Sequence, residues 1–217
     1  MWRYVLINNL LFIHGFATGP QIWHQQIKEF GQVADIEATD NLIIVGWSMG
    51  GWKAIEFCFE HHHKIKGLVL VSGFAKYVKG DDYPYGTPLA LLQRLKKIFL
   101  TDYKQGMHYF YDLIFKDKSN HHLIDQLPVP EKADLEKWFS RLEHEDLRPH
   151  LSKINIPTLI IHGDQDPIVQ LGAAKYLYEQ IKGSRLVVLK GVGHAPFLEK
   201  PQEFNQLLGD FISERTN

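Results

Sequence analysis

The chain has 217 residues, of which 45% are hydrophobic, and a formal charge of −1 from 24 Lys and Arg against 25 Asp and Glu. This length predicts one compact domain or one domain with an insertion, and the apolar fraction excludes a disordered chain. The balanced charge gives no basic surface for nucleic acid, and no apolar run reaches the roughly 18–20 residues of a membrane span. The single cysteine, Cys58, excludes a disulfide framework and is expected to be a small core residue. We therefore expect a cytoplasmic enzyme that binds neither nucleic acid nor membrane.

Short apolar runs predict the strands in the first part of the chain. Four such runs occupy residues 4–7, 10–13, 42–45 and 68–71. The first two flank Asn8-Asn9, a pair typical of a tight turn between paired strands. The last two are continuous aliphatic runs, as in strands buried on both faces of a parallel sheet. Helical spacing predicts helices over residues 22–30 and about 50–60, and residues 33–36 are a weaker strand candidate.

The pattern changes after Gly73. Residues 74–150 show helical periodicity interrupted by five prolines, and no clear strand. Strand character returns at residues 158–161 and 186–189, and helices are predicted over about 172–182 and 202–212. Strands alternating with helices predict an α/β fold with a mostly parallel sheet, and the all-helical stretch predicts an insertion. We assign the core to residues 1–73 and 151–217 and a helical lid to residues 74–150.

A serine between two glycines is the strongest chemical signal. The stretch Gly46-Trp-Ser48-Met-Gly50 fits G-x-S-x-G and lies between a predicted strand and a predicted helix, the context that gives this motif meaning. The glycines permit a sharp turn that presents the hydroxyl, and free N–H groups of the following helix favour a developing oxyanion. The alternative is a glycine-rich turn with an incidental serine. A phosphate-binding loop is excluded because Trp52 stands where lysine is required.

A nucleophilic serine of this kind needs a general base and an orienting acid, in the chain order Ser, Asp or Glu, His. His194 follows the predicted strand at 186–189 in a loop flanked by glycines, and an imidazole suits proton transfer at neutral pH. Two carboxylates follow the strand at 158–161. Asp166 is the preferred acid because it lies farther along the loop, whereas Asp164 is expected to order the turn.

An oxyanion hole needs N–H donors beside the nucleophile. Met49 directly follows Ser48, and Phe16, after the strand at 10–13, is placed to supply the second N–H. An ordinary turn after that strand is the alternative for Phe16, and Trp47 either lines a pocket or packs in the core.

No metal or cofactor is expected. The histidines at positions 61–63, 121–122, 144 and 150 lack the spacing of a metal cluster and are typical of solvated helix ends. The chemistry of a serine with a histidine base requires no cofactor.

Four motifs in this order resemble the α/β-hydrolase superfamily over nearly the whole chain. They are His14-Gly-Phe16, Gly46–Gly50, Gly163-x-x-Asp166 and Gly193-His194-Ala-Pro-Phe197. Further stretches resemble the pimeloyl-[acyl-carrier protein] methyl ester esterases of biotin synthesis, and these are residues 46–52, 74–78, 82–86, 102–103 and 146–149. The family pattern places the acid three residues after Gly163, which supports Asp166.

The resemblance implies that this chain is a serine carboxylesterase. Its expected reaction is cleavage of the methyl ester of a pimeloyl chain tethered to acyl carrier protein, with release of methanol. The resemblance implies that this carrier protein is the partner of the enzyme, which we expect to be a monomer. The substrate contacts that it implies are Phe16, Met49, Phe110, Tyr111, Ile114 and His194. Trp47, beside the serine, is a further candidate for substrate contact.

The sequence departs from the family in two places. The span from Gly15 to Ser48 is 33 residues, where the family usually has nearly twice as many, so we expect a sheet shortened before the elbow. Phe16 stands where the family commonly has tryptophan. The lid also divides into a half of charge +3 (residues 74–118) and a half of charge −3 (residues 119–150). The basic half either steers an acidic carrier protein or is a solvated helix surface.

Two other functions are compatible with the same residues. One is a carboxylesterase, thioesterase or carbon–carbon hydrolase that acts on small free substrates. The other is a ligand-binding protein without enzymatic activity on the same scaffold, against which the complete set of Ser48, Asp166 and His194 argues.

Overall fold

A computed structural model describes residues 4–31, 40–115 and 120–216. Its centre is a six-stranded sheet. The strands are β1 (Tyr4–Ile7), β2 (Leu10–Ile13), β3 (Leu42–Trp47), β4 (Ile65–Val71), β5 (Thr158–Gly163) and β6 (Arg185–Leu189). They lie side by side in chain order; β1 and β2 are antiparallel, and every later pair is parallel. The mostly parallel sheet predicted from the sequence is confirmed.

Helices pack on the sheet, and several of them come between β4 and β5 along the chain. In the described ranges they are α1 (His24–Phe30), α2 (Met49–Glu60), α3 (Leu89–Thr101), α4 (Tyr103–Ile114), α5 (Lys132–His144), α6 (Leu171–Gln180), α7 (Pro196–Glu199) and α8 (Pro201–Thr216). Four 3-10 turns accompany them, at Pro20–Trp23, His62–Lys64, His121–Gln126 and Arg148–Lys153.

The first hairpin forms where the asparagine pair predicted it. Asn8 has a φ of 53°, in the left-handed region that asparagine tolerates, and its side-chain amide donates to the Phe30 carbonyl at 2.9 Å. Ile7 pairs with Leu10 across the turn. The hairpin therefore forms one edge of the sheet, and its turn is tied to the end of α1.

The continuous aliphatic runs form the buried middle of the sheet. Every residue of β3 and of β5 is buried, whereas most of β6, at the far edge, is only partly buried. Strands buried on both faces need apolar side chains on both faces, which is why these runs do not alternate with polar residues.

Two predicted elements differ from the structure or lie outside it. The helix expected over residues 22–30 starts as the 3-10 turn at Pro20–Trp23 and becomes α-helical only from His24. The strand candidate at residues 33–36 lies outside the described residues. The structure therefore does not test whether a remnant strand occupies the short segment before β3.

Residues 74–150, for which we keep the name lid, contain α3, α4 and α5, and α3 packs on the other two. Strand-like pairing in the described part of the lid is limited to isolated bridges, one of which joins Lys76 to Asp146. Arg148 binds Asp146 at 2.6 Å and Asp82 at 2.8 Å, so charged side chains connect the two ends of the lid.

Candidate active site

Ser48 stands on a strained turn between β3 and α2. Its φ of 55° and ψ of −124° lie outside the regions that L-residues ordinarily adopt. The Ser48 N–H donates to the Val71 carbonyl of β4 at 2.8 Å, and the Gly51 N–H donates to the Ser48 carbonyl at 2.9 Å. These hydrogen bonds hold the residue in the conformation that a nucleophile elbow requires.

Close backbone contacts explain both glycines of the motif. A Cβ on Gly46 would lie 2.6 Å from the Gly50 carbonyl oxygen and 2.8 Å from the Ala54 Cβ. A Cβ on Gly50 would lie 2.5 Å from the His14 carbonyl oxygen. Real side chains do not approach so closely, so β3, α2 and the segment after β2 pack together only because both positions are glycine.

A histidine and an aspartate meet beyond the carboxyl ends of β5 and β6. His194 Nδ1 lies 2.8 Å from Asp166 Oδ2, and the two side chains are 1% and 0% exposed. The other carboxylate oxygen, Oδ1, accepts hydrogen bonds from the N–H groups of Ile168 and Val169 at 2.8 and 2.9 Å. The loop after β5 thus fixes the carboxylate, and Nε2 is left as the ring nitrogen of His194 for proton transfer.

Asp164 has a different position. Its Oδ1 accepts a hydrogen bond from the Gly191 N–H at 2.7 Å, which joins the loop after β5 to the loop after β6. The structure therefore pairs Asp166, and not Asp164, with His194. Asp164 instead connects the loop after β5 to the loop after β6.

The charge of Asp166 is stabilised by its neighbours. Burial by itself raises the pKa of this carboxyl, but the charge and hydrogen bond of His194, together with His162 and the Val169 N–H, outweigh burial and lower the pKa below its ordinary value of 3.8. Asp166 is therefore an acceptor at neutral pH, and it keeps the proton of neutral His194 on Nδ1.

Trp47 connects the serine turn to the histidine loop. Its indole N–H donates to the His194 carbonyl at 2.8 Å, and the centroids of the two rings lie 5.4 Å apart. Because Trp47 directly precedes Ser48, this contact sets the serine turn against the histidine loop. Trp47 is also 1% exposed and packs edge-on against Phe197, so of its two expected roles the structure supports packing.

The segment after β2 borders the serine. A Cβ on Gly15 would lie 3.3 Å from the Ser48 Cβ, and Phe16 follows Gly15 directly. Met49 begins α2, where the first N–H groups have no acceptor within the helix. Both N–H groups predicted for an oxyanion hole therefore belong to segments that border Ser48.

A cavity of about 160 Å³ lies between this segment and the lid. Phe16 and Met49 form part of its wall, and Tyr103, Leu127 and Trp138 line it from the lid. Among the described residues that line it, Asp134 is the only Asp, Glu, Lys or Arg. The cavity is thus mostly uncharged, with one carboxylate on the lid side.

Phe16 also joins the core to the lid through aromatic contacts. Its ring makes edge-to-face contacts at 5.1–6.1 Å with four rings of α3, α4 and α5, which belong to Phe99, Phe110, Trp138 and Phe139. Such contacts add to the stabilisation that burial of the rings provides.

The other predicted substrate contacts do not line this cavity. Phe110 packs against Phe16, and Tyr111 packs against Phe115 and His121. Ile114 is buried. Trp47 and His194 are likewise absent from the lining of the cavity, so substrate contact by these five residues remains a prediction.

Two residues that the sequence analysis did not single out hold the acid and base loops. The buried His162 donates from Nε2 to the Val169 carbonyl at 2.9 Å and lies 3.5 Å from Asp166 Oδ2. Glu199 accepts hydrogen bonds from the N–H groups of Gly193 and Ala195, on either side of His194, at 2.9 and 3.4 Å. The only sequence signal was their position, next to Gly163 and a few residues after His194.

Metal-ligating side chains do not gather in groups of three or more anywhere in the ranges 4–31, 40–115 and 120–216. Nor does any helix in these ranges have the length and apolar character needed to cross a membrane.

Comparison with solved structures identifies the fold. The esterase EaEST from Exiguobacterium antarcticum aligns with a TM-score of 0.82 and 20% identity, over 98% of this chain and all of that one. MenH from S. aureus aligns with a TM-score of 0.72 and 19% identity, over 100% of this chain and 99% of that one. At such identities the likeness establishes the α/β-hydrolase fold alone.

Sequence comparison identifies the family. Residues 13–201 match the family model described as serine aminopeptidase, S33. Relatives named pimeloyl-[acyl-carrier protein] methyl ester esterase occur in Neisseria meningitidis serogroup B (32% identity, 92% of this chain and 79% of the relative) and Nitrosomonas europaea (30%, 90% and 92%). A serogroup A relative is also 32% identical, but the match spans 84% of this chain and only 64% of the relative. The chain therefore belongs to the serine hydrolase family that this model describes, within the α/β-hydrolases, and to the family of the pimeloyl-[acyl-carrier protein] methyl ester esterases.

Proposed function

We propose that this protein is a serine carboxylesterase that uses Ser48, His194 and Asp166 as a catalytic triad. The observation that carries the proposal is the buried His194–Asp166 pair, at 2.8 Å, on a loop that Trp47 joins to the strained turn of Ser48. The positive φ of Ser48 costs conformational energy, and burial of the Asp166 carboxylate costs solvation energy. Participation of both residues in acyl transfer explains why these costs are accepted.

The reaction proceeds in two steps. His194 Nε2 takes the hydroxyl proton as Ser48 Oγ attacks the ester carbonyl, and the N–H groups of Phe16 and Met49 stabilise the oxyanion. The C–O bond of the tetrahedral intermediate then breaks, and His194 donates its proton to the departing alkoxide, which leaves as the alcohol. Water, deprotonated by His194, attacks the acyl-enzyme and releases the acid and free Ser48.

The proposed substrate is the methyl ester of a pimeloyl chain on acyl carrier protein, so that the alcohol is methanol. The names of the Neisseria and Nitrosomonas relatives support this choice. The cavity supports it as well, because about 160 Å³ is close to the volume that holds a benzene molecule. Such a space accepts part of a linear acyl chain, and the rest of the chain extends towards the carrier protein.

We propose that the carrier protein docks on α3. This helix has three basic residues and no acidic ones, and Arg94 and Lys97 are exposed beside Leu91, which is 56% exposed. Within the described ranges neither Arg94 nor Lys97 forms an ion pair, and both side chains are exposed, as the binding of an acidic partner requires. We place the reaction in the cytoplasm, with the enzyme as a monomer.

The test compares three esters. The wild-type protein is expected to cleave pimeloyl-[acyl-carrier protein] methyl ester with a kcat/KM well above those for free dimethyl pimelate and short nitrophenyl esters. The double variant Arg94→Glu/Lys97→Glu should lose most of that advantage without losing activity on the free esters. The control is Lys175→Glu/Lys182→Glu, which makes the same charge change at exposed positions outside the lid.

The possible results of these and two further tests lead to different conclusions. Equal kcat/KM for the carrier-bound and free esters would identify a general esterase of small substrates. Absence of covalent labelling of Ser48 by a fluorophosphonate would instead indicate a binding protein without enzymatic activity. Restored growth without biotin in a strain that lacks its own esterase would support the proposal in cells.

A further inference from the structure

His162 is a buried ionisable residue that the mechanism does not use. It is the second-last residue of β5, its side chain is 0% exposed, and it lies four residues before Asp166. Its Nδ1 has no hydrogen-bond partner among the described residues. Burying an imidazole with one nitrogen unsatisfied costs stability, so the ring is expected to have a compensating role.

The contacts of the ring fix its tautomer. A backbone carbonyl only accepts hydrogen bonds, so the 2.9 Å contact with the Val169 oxygen places the proton of His162 on Nε2. Burial is the main reason why the pKa of His162 is lowered, and it outweighs the attraction of Asp166. The ring is therefore neutral at pH 7, with a single N–H donor at Nε2.

The nitrogen that carries this proton also lies close to the proposed catalytic carboxylate. His162 Nε2 lies 3.5 Å from Asp166 Oδ2, the oxygen that accepts the hydrogen bond from His194. Val169 closes the arrangement, because its N–H donates to Asp166 Oδ1 while its carbonyl accepts from His162. The ring, the Val169 peptide and the carboxylate thus restrain one another beneath the acid–base pair.

We propose that His162 is a positioning residue that orients Asp166 Oδ2 towards His194 and stabilises the carboxylate charge through the dipole of its N–H group. The inference rests on the proposed function, since it assigns a role in the same triad. It predicts an effect on turnover rather than on substrate binding, because His162 is not among the residues that line the cavity.

Other ionisable groups near the carboxylate do not supply the same effect. His194 is the partner that Asp166 orients, and Tyr77, which also feels the Asp166 charge, has a pKa raised chiefly by burial. The phenol of Tyr77 therefore remains neutral across the range in which the esterase would be assayed. This leaves His162 as the ring whose removal should change the response of the triad to pH.

The experiment uses substitutions that separate the donor from the volume. His162→Leu fills a similar space without a donor, and His162→Gln keeps an N–H near the position of Nε2. His162→Asn places its amide farther from Asp166, and His24→Gln, at an exposed position, is the control. Rates are measured on dimethyl pimelate per site titrated with a fluorophosphonate, so loss of folded protein does not lower the result.

The expected outcome is a loss in kcat of about tenfold for His162→Leu and His162→Asn, since the Nε2–H dipole, 3.5 Å from Asp166 Oδ2, no longer favours the charged and oriented carboxylate. KM should stay within about twofold. The acidic midpoint of kcat/KM should rise by several tenths of a pH unit, because a less satisfied carboxylate holds a protonated base more strongly. His162→Gln and His24→Gln should keep both the rate and the midpoint.

The proposal is overturned if His162→Leu and His162→Asn keep the wild-type kcat per titrated site and the wild-type midpoint, whatever their thermal stability. If His162→Leu does not fold, the comparison of His162→Asn with His162→Gln decides the matter. Failure of the proposed function is distinguishable, because wild-type protein would then neither cleave esters nor react with the fluorophosphonate. In that case the downfield resonance of the His194 Nδ1 proton, recorded for wild type and His162→Asn, still shows whether His162 acts on the Asp166–His194 bond.

Discussion

The two sides of the candidate active site are stabilised in different ways. On the side of β5 and β6, directional hydrogen bonds hold the proposed acid and base, and four polar contacts converge on the Asp166 carboxylate. On the lid side, Phe16 packs among aromatic rings at 5.1–6.1 Å with no hydrogen bond in the contacts.

This difference indicates how the two sides contribute. Replacing a single atom of a hydrogen-bonded carboxylate removes its function, because that function depends on both the position and the negative charge of its oxygens. Packed rings share their contribution among many contacts, so a change there alters stability and binding more than the chemical step. The predictions that follow are ordered by expected effect, and each tests this division.

Ser48→Ala should lower kcat for a nitrophenyl ester by at least about a thousandfold, because the only proposed nucleophile is removed while the fold is kept. Steady-state hydrolysis of the purified variant measures this, and Ser152→Ala, at an exposed position in the 3-10 turn Arg148–Lys153, is the matched control. Turnover by Ser48→Ala near the wild-type rate would contradict the assignment of the nucleophile.

Asp166→Asn should lower kcat by about a thousandfold, because an amide no longer holds the His194 tautomer as a carboxylate does. Asp164→Asn should change kcat by less than about fivefold, since Asp164 binds a backbone N–H in the adjoining loop. Parallel measurement of the two variants compares a triad carboxylate with a loop carboxylate. The reverse ranking would show that the acid is Asp164.

Phe16→Ala should lower the free energy of unfolding by about 3 kcal/mol, because it leaves a cavity where one ring contacts four others. Phe16→Leu should cost less and should raise KM more than it lowers kcat, since the proposed oxyanion donor of Phe16 is a backbone N–H. Urea denaturation and steady-state kinetics measure the two effects. A loss confined to kcat in Phe16→Leu would contradict the division between the two sides.

Arg148→Met should lower the free energy of unfolding at pH 7 by up to about 1 kcal/mol, chiefly because the bidentate contact of Arg148 with the partly buried Asp146 is lost. Burial raises the pKa of Asp146, but its bonds to Arg148 outweigh burial and lower that pKa below 3.8. A lowered carboxyl pKa gives stability that is present above the ordinary value and is lost as the pH falls through the folded value.

The difference between wild type and Arg148→Met should therefore be constant from pH 5 to 8 and shrink below about pH 4. Thermal unfolding across this range measures it. Lys153→Met, at an exposed position nearby, is the control that should match wild type throughout. A difference that grows at low pH would show that the Arg148 bonds are not its source.

Asp134→Asn is expected to have the smallest effect, a gain of about threefold in kcat/KM for monomethyl pimelate, whose free carboxylate the Asp134 charge repels at the cavity. The value for uncharged dimethyl pimelate should not change. Glu136→Gln removes the same charge from an exposed neighbour that does not line the cavity, and it should leave both values as they are. Equal gains for the two esters would exclude a charge effect.

Much of the fold could be predicted because its signals are local. Each signal consists of a few adjacent residues. These signals are the asparagine pair at residues 8–9, the aliphatic runs of β3, β4 and β5, and the glycine–serine motif. The cavity and the aromatic packing around Phe16 could not be predicted, because they depend on how α3, α4 and α5 meet the core over long sequence separations.

The candidate site shows the same limit. The preference for Asp166 over Asp164 came from position in a loop and from a family pattern, whereas the distances show which carboxylate contacts His194. His162 and Glu199 were missed because a single histidine or glutamate beside a motif carries no signal until the loops are folded.

The order of the strands divides the chemistry along the chain. Residues up to β4 carry the proposed nucleophile and both proposed N–H donors, residues from β5 onwards carry the proposed acid and base, and the lid separates the two. Neither part alone contains both a nucleophile and the group that deprotonates it. If the chain were cut within the lid, hydrolysis would require the two fragments to associate. The esterase activity of such a split protein would therefore report the association of its fragments.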